Sequence, residues 1–229
     1  YRLLSIGYAL LKQNDQAWMA IETAESHAKN PNQELYIKTR KAAQYLTERK
    51  DLRALTALSS AIEDYKLLQN KDSNLLLQIK LNLILVLRNI GDHLLQSMLL
   101  DEVQQELDSF NHPILHASYH YIKASMEFDD ELYVEAEQSF LTALSHYEHL
   151  AISDKTEEIK FKAYLSKFKS NPIESNEALS KLFQQYENNL LHPTFIGYLT
   201  ELGSLQINPF IFYTFSHKQC IDILKHLLF

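Results

Sequence analysis

Three histidines, His112, His116 and His120, recur at every fourth residue. Pro113 suits the first position of a helix, and on such a helix His116 and His120 share one face. Two imidazoles at i and i+4 can hold a metal ion. The sequence adds no HExxH pattern and no legible third ligand. The expectation is therefore an ordinary pair of helix histidines, with no metal and no cofactor, able to serve as a weak pH sensor. Glu127, Asp129, Asp130, Glu131, Glu135 and Glu137 form an acidic run. Paired carboxylates do acid–base work when burial splits their pKa values. These surround a turn, where solvated carboxylates favour the start of the next helix instead. Cys220 lies among Ile221, Ile223 and Leu224, the setting of an inert core thiol rather than a nucleophile. Neither a serine elbow nor a phosphate loop occurs. The residue types thus nominate no catalytic group, and the chain is not expected to be an enzyme.

Composition narrows the class further. The chain has 229 residues, 46% hydrophobic and 22% charged, enough apolar content to fill a core. Four glycines allow few tight turns. A formal charge of −7 argues against a nucleic-acid footprint, which needs clustered excess Lys and Arg. A single cysteine excludes an internal disulfide. No apolar run approaches the ~20 residues of a membrane span. The expectation is a soluble, cytoplasmic domain without membrane contact. Because the chain opens on Tyr1, it reads as a piece of a longer protein.

The elements that carry these residues repeat. Leu3, Ile6, Leu10 and Leu11, with Gly7 beside them, mark a first helix. After the polar turn Gln13-Asn14-Asp15, a second places Ala17, Ala20, Ile21, Ala24 and Ala28 on one face, and Pro31 ends the unit. The pattern returns after Asp51 with Ala54, Leu58, Ala61 and Tyr65. It returns after Asp92 with Leu95, Leu99, Val103 and Leu107, and after Asp130 with Ala136, Phe140, Ala143 and Tyr147. A weaker copy follows Pro172 with Ala178, Leu182 and Tyr186. The markers Asp15, Asp51, Asp92, Asp130 and Pro172 lie 36, 41, 38 and 42 residues apart. Such a period predicts stacked helix-turn-helix repeats, all-α, with ten to twelve helices. Ala20, Ala136 and Ala143 are expected to be buried where helices cross. Residues 1–192 form the repeats. Residues 193–229, rich in Phe and ending in an apolar helix that Ser216 can cap, form either a lid on the last repeat or a homodimerisation helix.

Gly7, Ala20, Ala24 and Pro31 in the first unit, and Ala136, Phe140 and Ala143 in the fourth, resemble the tetratricopeptide repeat. The resemblance covers roughly residues 1–190. With a period longer than the family's 34 residues, it is closest in kind to the divergent repeats inside bacterial regulators. It implies an α-solenoid, a right-handed superhelix of antiparallel helix pairs, with a C-terminal capping helix. It implies a scaffold that binds a protein or peptide on its concave face. The alternative is the ligand- or peptide-sensing region of a bacterial transcriptional or signalling regulator whose output domain lies elsewhere.

In such stacks the first helix of each repeat lines the concave face. The polar residues there are Lys38, Lys41 and Gln44, then Asn82 and Arg88, then Tyr119, His120 and Lys123. Cationic and amide side chains suit the backbone and carboxylates of an extended peptide. Basic residues outnumber acidic ones between Lys29 and Arg53. The expected ligand is accordingly an acidic or carboxylate-terminated peptide, read by the second and third repeats.

Overall fold

A computed structural model describes residues 1–10, 13–107, 112–149 and 153–171. These residues form nine α-helices and no strand: α1 (Arg2–Leu10), α2 (Asn14–Ser26), α3 (Pro31–Thr47), α4 (Asp51–Leu67), α5 (Ser73–Ile90), α6 (His93–Leu107), α7 (Pro113–Asp129), α8 (Tyr133–His149) and α9 (Ser153–Ser170). The all-helical expectation holds for them. The fifth repeat, Cys220 and the Phe-rich segment 193–229 lie outside the described residues. The chain divides into two compact units, Tyr1–Ile122 and Lys123–Phe229. Among the described residues, no helix is long and apolar enough to cross a membrane.

Local chemistry sets the helix ends. Asn30 caps α3 by accepting a hydrogen bond from the Gln33 amide at 3.0 Å, with Pro31 in the first turn. Asp72 caps α5 by accepting from the Asn74 amide. Asp92 caps α6 by accepting from the Leu95 amide.

Three hairpin turns close in one way. Arg49, Gly91 and Glu131 each take the left-handed conformation, with φ of 57°, 80° and 63°. The next residue's amide then reaches back to the last helical turn: Lys50 to the Tyr45 carbonyl, Asp92 to Leu87 and Leu132 to Glu127, at 2.8–2.9 Å. This is the six-to-one closure that satisfies orphan carbonyls at a helix end. Only Gly91 advertises it in the sequence. Arg49 and Glu131 adopt a conformation that costs a side-chain-bearing residue free energy.

In the first unit, each of α1 to α5 packs on the next, and α1 touches α3 as α3 touches α5. Ala17, Ala42, Ala54 and Ala61 are fully buried, and small residues at contacts let helix axes draw close. Leu35, Leu58, Leu75, Ile79 and Val86 fill the core between α3, α4 and α5. Gly7 is exposed, and a Cβ there would meet nothing within 4 Å, so no close approach depends on it. In the second unit α8 packs on α9, burying Ala136, Phe140 and Ala143 of α8 and Ile159 and Phe161 of α9. The expected burial of Ala20, Ala136 and Ala143 is observed.

Candidate functional site

The first unit contains a groove of about 460 Å³ lined by α1, α3, α5 and the start of α7. Its polar wall is a stripe on α5. Asn74, Gln78 and Asn82 are spaced by four residues, so they stand one above another on the helix surface. No hydrogen bond engages these three side chains among the described residues. They stand out because α5 is otherwise strongly apolar, burying Leu75, Leu77, Ile79, Leu81, Ile84, Val86 and Leu87. Leu81 and Leu85 add apolar surface to the groove. From α7 come Ile114, Leu115 and Ser118, with His112 at the helix start. The His112 Nδ1 is buried without a hydrogen-bond partner.

The facing wall is α3, which contributes Tyr36, Thr39, Arg40 and Ala43. Arg40 Nε donates to Ser5 Oγ at 2.9 Å, and its Nη2 donates to the Ser5 carbonyl and to Gln44 Oε1 at 3.0 and 3.1 Å. All three acceptors are neutral. Burial, uncompensated by an acid, pushes the Arg40 guanidinium below its ordinary pKa.

Beneath this wall a polar network holds the start of the chain in place. Gln44 is fully buried, and its amide donates to Asn14 Oδ1 and Glu48 Oε1, each at 3.1 Å. Glu48 Oε1 also accepts from the Trp18 indole, and Glu48 Oε2 from Lys50. Burial alone would raise the Glu48 carboxyl. Hydrogen bonds from Lys50, Gln44 and Trp18, with the Lys50 charge, outweigh burial and hold it below the usual glutamate range. On the side of α5 facing α6, the nearly buried Lys80 pairs with Glu102 and Glu106 at 2.7 and 2.6 Å.

Of the residues expected from the sequence to line the concave face, the groove takes in Asn82. Lys38 and Lys41 line a different recess, between α3 and the ends of α2 and α4. There Lys38 pairs with Asp64 and Ser60, and Lys41 with Glu25 at 2.6 Å. Gln44 is spent on the buried network. Arg88 lies half-buried in the last turn of α5. Tyr119 is buried, its hydroxyl donating to Gln104 of α6 at 2.8 Å, and its ring meets His120 edge-on. Lys123 faces Glu127 across one helical turn at 3.8 Å. His116 and His120 are both half-buried on consecutive turns of α7.

Arg40, which the sequence places beside Lys38 and Lys41, also builds the groove, together with Asn74 and Gln78, which the sequence reading does not single out. The α5 stripe carried a signal: three amide residues at i, i+4 and i+8 in a helix rich in Leu, Ile and Val. Neither a protein-family model nor a curated protein matches the chain.

Proposed function

We propose that the first unit is a tetratricopeptide-like α-solenoid segment that binds an extended peptide in the groove between α3 and α5, as a scaffold rather than an enzyme. The observation that carries this reading is the unengaged amide stripe. Residues four apart on a helix rise about 6 Å. An extended chain repeats its backbone groups every two residues, about 6.6–6.8 Å. Asn74, Gln78 and Asn82 therefore match alternate peptide units of a segment lying along α5, and each amide offers both donors and an acceptor. Leu81 and Leu85 supply apolar contacts. Amides neither ionise nor attack, which suits recognition. The right-handed superhelix expected of such repeats belongs to this same proposal.

The test is selection of peptides from a displayed library of C-terminally amidated octapeptides, followed by fluorescence anisotropy. Gln78→Ala combined with Asn82→Ala should weaken binding by about tenfold, since two hydrogen bonds of ordinary strength are lost. The same variant should melt where the parent does, because these side chains hold nothing within the protein. Failure to select any peptide, or affinity that ignores both substitutions, would sink the proposal.

A further inference from the structure

Among the described residues, Arg40 is the one side chain in the groove wall that carries a permanent charge, and no carboxylate lines that wall. The neighbouring recess differs sharply: there Lys38 and Lys41 are matched by Asp64 and Glu25. A half-buried guanidinium normally finds a carboxylate. Among the described residues Arg40 is held by Ser5 and Gln44 alone, through Nε and Nη2, and both N–H groups of Nη1 have no acceptor there.

The position of Arg40 along the groove is set by contacts between the starts of α3 and α5. Asn32 donates to the Asn70 carbonyl and Tyr36 to Asp72, offsets of 38 and 36 residues. At offsets of 36 to 38 residues Arg40 lies level with the stretch Leu76 to Gln78, between Asn74 and Asn82. The charge thus sits midway along the amide stripe, not beyond its end.

We propose that Arg40 reads an internal Asp or Glu side chain of the bound peptide, whose backbone runs on past it in both directions. This rests on the peptide-binding reading above and specifies its ligand. The carboxylate would accept from Nη1 while Nε and Nη2 keep their bonds to Ser5 and Gln44. Those bonds fix the guanidinium before the peptide arrives, which limits the entropy lost on binding.

The experiment uses two octapeptide libraries against the whole chain, one amidated and one with a free C-terminal carboxylate. The amidated library should yield peptides with Asp or Glu at one fixed internal position. Replacing that acid by its amide should weaken binding about tenfold or more, the scale of a charge-assisted hydrogen bond. Arg40→Gln should weaken the parent peptide similarly and leave the affinity of the amide peptide unchanged. Because the peptide substitution leaves the protein intact, a misfolded Arg40→Gln variant would not obscure the answer. Selected peptides with no fixed acid, but still dependent on Gln78 and Asn82, would overturn this inference and leave peptide binding standing. Selection only of peptides whose terminal carboxylate is required would overturn the internal-residue assignment. Capture of no peptide would overturn both.

Discussion

Leu58→Ala is expected to cost about 2–5 kcal/mol of stability, measured by denaturant unfolding. Leu58 is fully buried on α4 in the cluster shared with α3 and α5. Its removal leaves a cavity between the helices that hold the groove walls apart. The surrounding alanines, Ala42, Ala54 and Ala61, are too short to collapse into that space. The loss should exceed that from Leu67→Ala on the same helix, since Leu67 is largely exposed. Equal midpoints for the two variants would contradict the assigned packing.

Glu48→Ala is expected to destabilise by about 1–3 kcal/mol, because the Trp18 indole and the Gln44 amide lose a part-buried acceptor. The same carboxylate predicts a pH dependence. Its folded pKa lies below the unfolded value. Its contribution is therefore complete above the ordinary glutamate pKa and is lost as pH falls through the lowered folded value. Acid titration of the parent, followed by Trp18 fluorescence and thermal melting, should show stability declining over that acidic window. Glu48→Gln should flatten that part of the decline. A parent and variant with parallel acid profiles would remove Glu48 from the account. Lys80 acts at the other end of the scale. Burial alone would lower it, but its bonds to Glu102 and Glu106 outweigh burial and raise it, so its contribution persists through neutral pH and fades only as pH climbs past the raised value.

The sequence made the helical hairpins legible because α2, α4 and α8 each present one apolar face. Ala17, Ala20 and Ile21, then Ala54, Leu58 and Ala61, then Ala136, Phe140 and Ala143 are buried as their spacing indicated. The inward face of α3 was not legible for a physical reason. α3 touches α1, α2, α4 and α5, and its buried residues Leu35, Ile37, Thr39, Ala42 and Gln44 run around much of its girth. A helix with neighbours on several sides has no single polar stripe for periodicity to find. Lys38 and Arg40 are two residues apart, hence some 200° apart on the helix, and charge alone does not choose between them. Gln44 is a polar residue at a core position, legible only through partners distant in sequence, Asn14 among them. The left-handed turns at Arg49 and Glu131 are hidden likewise, since neither residue type favours that conformation.

The central claim, that the groove between α3 and α5 receives the peptide, is tested most directly by site-specific photocross-linking. p-Benzoylphenylalanine placed at Gln78, in the groove wall, is compared with the same group at Gln69, in the charged recess beside Lys38 and Lys41. With a library-selected peptide bound and irradiated, position 78 should form the covalent adduct and position 69 should not. An adduct at 69 with none at 78 would place the ligand in the charged recess and contradict the account.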